Sequence, residues 1–208
     1  HADGLRNAGS ANFVGDVTIN AKDYTQGILN YSTATFGNNL TVNTTDMNAG
    51  INMGGGSISV ARDLSISTSN TTRVGQGIVQ TGGAISAQGN ATISTGASGA
   101  NGISITAGTF EALGSNNVIT STGTSADGIN TTGGVVALGT AASNATPGSM
   151  AVLLASGSVT GGQNGIRAQN ISTGALDITT SGTVSGNGGA GIVAINNATA
   201  SNLTINQT

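Results

Sequence analysis

The chain has 208 residues, with 35 glycines, one proline and no cysteine or tryptophan. Five basic and eight acidic residues give a net charge of −3, and the basic residues are scattered, so we expect no nucleic-acid partner. Without cysteine there is neither a disulfide framework nor a thiolate metal site. No run of about 18 apolar residues occurs, so the sequence predicts no membrane-spanning helix.

A Gly-Ile pair recurs seven times along the chain. Successive isoleucines of these pairs are 23, 27, 25, 26, 37 and 26 residues apart. A period in the twenties, carried by β-branched residues, is typical of a solenoid whose repeats stack on one another. The pairs are Gly27-Ile28, Gly50-Ile51, Gly77-Ile78, Gly102-Ile103, Gly128-Ile129, Gly165-Ile166 and Gly191-Ile192.

Two further registers in each period alternate apolar and polar residues, as short strands do. The second register has the inward pairs Ile58 and Val60, Ile85 and Ala87, Phe110 and Ala112, and Val136 and Leu138. The third has the triplets Val17-Thr18-Ile19, Leu40-Thr41-Val42, Leu64-Ser65-Ile66, Ala91-Thr92-Ile93, Leu176-Asp177-Ile178 and Leu203-Thr204-Ile205, with Asn117-Val118-Ile119 as a degenerate member. This pattern predicts an all-β parallel β-helix of roughly eight coils, with about three short strands per coil.

The 37-residue interval departs from the regular spacing. Ala151-Val152 followed by Val159 imitates Gly77-Ile78 followed by Ile85, which predicts one hidden coil there. Residues 139–150 lack alternation and contain the only proline, Pro147, so they form either a loop leaving the solenoid or an irregular corner without a partner. Residues 1–208 are predicted to be one β-helix segment, and because the repeat continues to residue 205 we expect a longer solenoid.

A polar column precedes the Gly-Ile pairs and is predicted to form a structural amide ladder along the solenoid axis. It consists of Gln26, Ala49, Gln76, Asn101, Asp127, Asn164 and Ala190. Asp16, Asp63 and Asn90 precede third-register strands and are predicted to form Asx turns.

Catalytic groupings are sparse. The acidic residues do not gather at matching repeat positions, the outward Glu111 has no carboxylate at the equivalent positions Ser59 and Ser86, and the only histidine is His1. Calcium repeats, a phosphate loop and regular Thr-x-Thr arrays are also missing. The sequence therefore predicts a protein that is not an enzyme and that holds no cofactor or metal.

Four of the five aromatic residues lie within the first 36 positions: Phe13, Tyr24, Tyr31 and Phe36. Such a cluster either anchors a partner or plugs the end of a β-helix, and packing is the favoured role. The candidate partner-binding residues are Tyr24, Tyr31 and Phe36 here, together with Asn144 and Pro147 in the 139–150 segment.

The chain resembles the passenger domains of Gram-negative autotransporters, which use the type V secretion route. The resemblance rests on the Gly-Ile coils, on the segments 157–161 (GSVTG) and 180–186 (TSGTVSG), and on the cysteine-free composition rich in Asn, Thr and Ser. It implies a right-handed β-helix at the bacterial cell surface or secreted outside the cell. It also implies that any membrane contact is made by a translocator barrel absent from this chain.

The leading hypothesis is a non-catalytic adhesin that engages a host cell-surface receptor, a matrix component or another copy of itself. Many weak hydrogen-bonding sites on a rigid rod yield avidity. The alternatives are a soluble host-acting virulence ligand or toxin that uses one irregular surface, and a structural spacer of a longer passenger. A carbohydrate-active enzyme would require Glu111 or Asp127 in catalysis.

Overall fold

The computed structural model describes residues 3–23, 25–71, 73–197 and 199–208. Within these ranges the chain forms 24 strands and one 3₁₀ helix, Ala142–Asn144, and the strands lie in three parallel sheets. A regular coil takes one strand from each sheet in turn. The prediction of an all-β parallel β-helix with about eight coils and three strands per coil is confirmed.

The sheets contain eight, nine and seven strands, respectively. The first sheet consists of β1 (Leu5–Asn7), β4 (Gln26–Asn30), β7 (Ala49–Met53), β10 (Gln76–Gln80), β13 (Ile103–Ile105), β16 (Ile129–Thr131), β20 (Ile166–Asn170) and β23 (Ile192–Asn196). The second sheet consists of β2 (Ala11–Phe13), β5 (Thr33–Phe36), β8 (Ser57–Val60), β11 (Ala84–Ala87), β14 (Thr109–Ala112), β17 (Val135–Leu138), β18 (Met150–Leu154), β21 (Leu176–Thr180) and β24 (Leu203–Gln207). The third sheet consists of β3 (Val17–Lys22), β6 (Leu40–Thr45), β9 (Leu64–Ser69), β12 (Ala91–Thr95), β15 (Val118–Ser121), β19 (Ser158–Gly161) and β22 (Thr183–Gly186).

The core is a set of stacked apolar columns. In the first sheet each isoleucine of a Gly-Ile pair lies in register with the one in the next coil, as in Ile78 between Ile51 and Ile103. All three are fully buried. Each such residue contributes about 1.5–3 kcal/mol from burial, so identical side chains stacked coil on coil stabilise the register as well as the core.

In every Gly-Ile pair except Gly191-Ile192, the glycine marks the line where the first sheet packs directly on the third. A Cβ on Gly77 would lie 2.4 Å from Cγ2 of Ile93 and 2.4 Å from the carbonyl oxygen of Gly102 in the next coil. These distances are shorter than van der Waals contact, so no larger residue fits. The same contact with a β-branched residue of the third sheet recurs at Gly27, Gly50, Gly102, Gly128 and Gly165.

The prediction of a hidden Gly-Ile coil at Ala151-Val152 is wrong. These residues lie in β18 of the second sheet, where Val152 pairs with Val136, and the first sheet passes directly from β16 to β20. Val159 lies in the third sheet, opposite Ile119. Alternation in the sequence shows which side chains point inward. It does not show which of the three sheets contains an inward residue such as Val152, because all three have inward apolar side chains.

Two predicted third-register triplets also lie in the second sheet, namely those of residues 176–178 and 203–205. The third-sheet strand of that region is β22, in which Val184 pairs with Val159. β21 begins six residues after β20 ends and β24 seven residues after β23 ends, whereas the corresponding step is three or four residues in the earlier coils. Spacing counted from the earlier coils therefore assigns these strands to the wrong sheet.

Because of the close contact at Gly77, one added methyl group should greatly reduce the stability of the fold. Gly77→Ala should destabilise the protein by about 1–3 kcal/mol, because the new Cβ overlaps both Ile93 and the Gly102 carbonyl and neither can stay in place. Urea unfolding midpoints compared with the wild type would measure the loss.

Gly96→Ala is the matched control, since a Cβ there would meet only Thr122 Oγ1, at 3.9 Å. We expect its effect to stay within about 0.5 kcal/mol. Equal midpoints for the two variants would contradict the steric explanation.

Candidate functional site

The aromatic residues predicted to contact a partner occupy different environments. Phe36 is fully buried and stacks on Phe13, with ring centroids 4.9 Å apart and planes at 7°. Its side chain is therefore part of the core and is not available to a partner. Tyr31 is 53% exposed, and its ring lies over Gly54 of the next coil. Tyr24 lies outside the described residues.

Residues 139–149, hereafter the 139–149 loop, leave the regular solenoid as predicted, although Met150 already belongs to β18. The loop joins β17 to β18, which are parallel neighbours in one sheet. Its 3₁₀ helix contacts β14 and β17. Ala137 and Ala151 occupy outward positions of the second sheet yet are fully buried, so the loop lies across the outer face of this sheet.

Glu111 fastens the loop to the sheet. Its Oε2 accepts a hydrogen bond of 2.7 Å from the backbone N–H of Ala142, at the first residue of the 3₁₀ helix. Its Oε1 accepts a 3.0 Å hydrogen bond from Ser86 Oγ on the neighbouring strand. The outward carboxylate noticed in the sequence is thus an anchor for the loop, because hydrogen bonds to a charged acceptor are among the strong ones.

A groove lies between the 139–149 loop and the strands that follow it, with a volume of about 260 Å³. Asn144 lies in its wall, where Nδ2 donates a 2.7 Å hydrogen bond to Thr140 Oγ1. Pro147 is exposed on the same loop but does not line the groove. The full lining is Thr140, Asn144, Leu153, Leu154, Ala155, Thr179 and Ser181.

Tyr31 and the groove belong to different parts of the solenoid. Tyr31 follows β4 in the second coil, whereas the loop follows β17 in the sixth. Four coils separate them by about 19 Å along the axis, at about 4.8 Å per coil. The structure therefore brings Asn144 and Pro147 onto one loop and leaves Tyr31 apart from them.

The outer face of the third sheet, hereafter the polar face, carries two parallel columns of uncharged polar side chains. The first column is Thr18, Thr41, Ser65, Thr92, Val118, Ser158 and Thr183, and the second is Asn20, Asn43, Ser67, Ser94, Thr120, Thr160 and Ser185. Val118 is the single apolar member. Neighbours are about 4.8 Å apart between coils and about 6.7 Å apart along a strand. The alternation in the sequence predicts Thr, Ser or Asn at the outward positions of the strands, and the structure aligns these residues in two columns.

Two sets of polar side chains connect coils. Asn164 donates from its backbone N (3.2 Å) and from Nδ2 (2.8 Å) to Asp127 Oδ1, and Asp127 N donates to Asn101 Oδ1 at 2.8 Å. The predicted ladder is therefore present over these three coils. Asp127 is only 5% exposed, so its side chain is buried within this ladder.

The prediction of Asx turns at Asp16, Asp63 and Asn90 is wrong, because these side chains bond the next coil. Asp16 Oδ1 accepts from Asn39 N at 3.1 Å, and Asp63 Oδ1 accepts from Asn90 N at 2.7 Å. Asn39 Oδ1 accepts from Asp63 N at 3.2 Å, which makes the chain of bonds continuous. The pattern holds the corners of successive coils in register.

Among the described residues no three or more His, Cys, Asp or Glu side chains are grouped so that they could hold a metal ion. No helix in that part of the chain has the length and hydropathy needed to cross a membrane. Comparisons with protein-family models, with curated proteins and with solved structures found no match to this chain.

Removing the Glu111 carboxylate should release the loop from the sheet. In Glu111→Ala the amide of Ala142 loses its acceptor, and we expect its hydrogen exchange to accelerate about tenfold or more, in line with a bond worth about 1.5–3 kcal/mol. Glu111→Gln retains one acceptor oxygen and should show a smaller change. Unchanged exchange at Ala142 in both variants would refute the anchoring role.

The ladder predicts different outcomes for two Asp127 variants. Asp127→Ala leaves Asn164 without its acceptor and should cost about 1–3 kcal/mol of stability, measured as a lower urea midpoint. Asp127→Asn keeps an oxygen in the same place and should remain close to the wild type. A large loss in Asp127→Asn would show that the charge itself is required.

Proposed function

We propose that this chain is part of a non-catalytic binding protein of the autotransporter-passenger type, located at the bacterial surface or secreted. Its role in this proposal is that of an adhesin, which engages a host cell-surface or matrix component or a second copy of itself. The observation that carries the proposal is the polar face, whose two columns extend over all seven strands of the third sheet.

The polar face is suited to many weak contacts made at once. Thirteen of its 14 positions are Thr, Ser or Asn, since Val118 is the exception. Hydroxyl and amide groups both donate and accept hydrogen bonds, so they match a neutral polar surface without demanding one charge pattern. Each contact is weak, but a partner that meets several coils gains avidity.

Rigidity favours this mode of binding. The polar side chains project from paired strands, and the exposed Asn43 and Asn20 are joined by a hydrogen bond of 2.9 Å along the axis. Because the backbone is already ordered in the sheet, binding loses little further conformational entropy there.

A second candidate function is supported by the 139–149 loop and its groove. A soluble ligand or toxin acts through one specific site, and this loop is the largest departure from the repeat among the described residues. In this alternative the partner contacts the loop once instead of contacting many coils.

Paired substitutions on two faces test the proposal. Thr92→Asp combined with Ser94→Asp places two carboxylates on the polar face, and we expect host-cell binding or self-association to weaken at least tenfold. That loss corresponds to about 1.4 kcal/mol. Between two identical faces the added charges also repel. Cell-binding isotherms and analytical ultracentrifugation of the same samples measure both activities.

Thr33→Asp combined with Thr35→Asp is the matched control, because both residues are exposed on the outer face of the second sheet. This variant should behave like the wild type. Equal binding by both double variants would contradict the role of the polar face. Loss of binding only in Glu111→Ala would favour the second candidate, and a wild-type chain that binds neither cells nor itself would leave the spacer role.

As a test of the second candidate function, Glu111→Ala is preferable to deleting the loop. Because β17 and β18 are parallel, the end of β17 lies about one strand length from the start of β18, so the connection has to cross the sheet. Removing residues 139–150 would also remove Met150, which is 3% exposed and part of the core.

A further inference from the structure

The groove beside the 139–149 loop is preformed. The loop is fastened by the bond from Ala142 N to Glu111, and its start is held by Gly139 N, which donates to the Ala112 carbonyl at 2.8 Å. Within the loop, Ser149 donates to the Thr146 carbonyl from N at 3.0 Å and from Oγ at 2.6 Å. A ligand would therefore meet a wall that is already ordered, which reduces the entropy lost on binding.

The groove has an apolar floor and a polar rim. Leu153 near the end of β18, and Ala155 directly after that strand, form the floor. Leu154 also borders the groove, but its side chain is fully buried and belongs to the core. Thr140 and Asn144 project from the loop side, and Thr179 and Ser181 from the adjacent strand and turn. None of the seven lining residues is ionisable, so the lining offers no countercharge to an ionic ligand.

The rim has free hydrogen-bonding capacity of both kinds. Asn144 uses one N–H on Thr140, which leaves its second N–H as a donor and Oδ1 as an acceptor. Ser181 Oγ donates to the Ala155 carbonyl at 2.8 Å, so its lone pairs can still accept. The side chain of Thr179 is exposed and has its hydroxyl available.

From these features we propose that the groove binds one neutral saccharide unit, a pyranose ring without charged substituents. A pyranose has a face of C–H groups, which suits the floor around Leu153, and an edge of hydroxyls that both donate and accept, which suits the rim. An apolar peptide side chain would fill the floor but leave the amide of Asn144 and the neighbouring hydroxyls desolvated without partners. The volume of about 260 Å³ is below the range of about 300–1,000 Å³ for drug-sized ligands, so a single ring is the appropriate size.

This site is separate from the polar face. The groove lies on the second sheet, and the polar face lies on the third. Saccharide binding in the groove therefore does not rest on the proposed function of the polar face, and each can fail without the other.

Titrations followed by NMR test the inference with defined probes. The methyl glycosides of glucose, galactose and N-acetylglucosamine would each be added to the labelled 208-residue chain up to tens of millimolar, with N-acetylleucinamide as the apolar probe. We expect saturable shifts from at least one glycoside at the amides of residues 140–144, 153–155 and 179–181. N-acetylleucinamide should bind more weakly.

Two variants change the groove on opposite walls, one on the loop side and one on the sheet side. Asn144→Ala removes rim hydrogen bonds and should weaken binding about fivefold to tenfold, as expected for the loss of one or two such bonds. Thr179→Arg blocks the groove from the sheet side without altering the loop and should abolish binding. Asn43→Ala, which removes an exposed amide on the polar face, is the control and should bind as the wild type does.

Several results would overturn the inference. These are the absence of saturable shifts with all three glycosides, shifts centred on the polar face, tighter binding of N-acetylleucinamide than of any glycoside, or unchanged glycoside binding in Thr179→Arg. The Thr92→Asp and Ser94→Asp double variant should retain glycoside binding, so failure of the polar face and failure of the groove give different patterns.

Discussion

Contact between the first and third sheets at the glycine column is the constraint on which the solenoid depends. With a hydrogen at that position, the branched side chain of the third sheet, such as Ile93, packs against the backbone of Gly77. The adjacent isoleucine then enters the core and stacks on its copies in neighbouring coils. A side chain larger than hydrogen would separate the two sheets, so the Gly-Ile pair repeats because the same close contact repeats.

Polar groups then hold the coils in register. Side chains at two corners bond the next coil instead of closing their own turns, as in Asp63 with Asn90 and Asp127 with Asn164. Such bonds satisfy backbone and side-chain groups that stacking brings close to one another. The two acidic residues considered for catalysis, Glu111 and Asp127, both have structural partners. Glu111 binds the loop, and Asp127 belongs to a ladder between coils.

The proposed binding surfaces follow from the same architecture in two ways. Where the repeat is maintained, outward side chains align in columns, and uncharged Thr, Ser and Asn form the polar face. Where the repeat is interrupted, between β17 and β18, the connecting segment crosses the second sheet and encloses a groove of about 260 Å³. Regularity favours many equal contacts, and the interruption favours one distinct site.

The sequence by itself determined the parallel β-helix and its inward columns, because residue periodicity is a local property that stacking repeats. The expected number of coils was right, but the eighth strand of the first sheet is β1 and not a hidden coil at Ala151-Val152. The polar ladder at Asp127 was also predictable because its column recurs with the period, and the loop near residues 139–150 because it interrupts the period. Only the tertiary structure decided that β18 is an extra strand of the second sheet, that Phe36 packs on Phe13, and that Glu111 meets Ala142. The physical reason is that an inward apolar residue suits any sheet of the solenoid, whereas contacts between distant residues depend on how the coils close around the core.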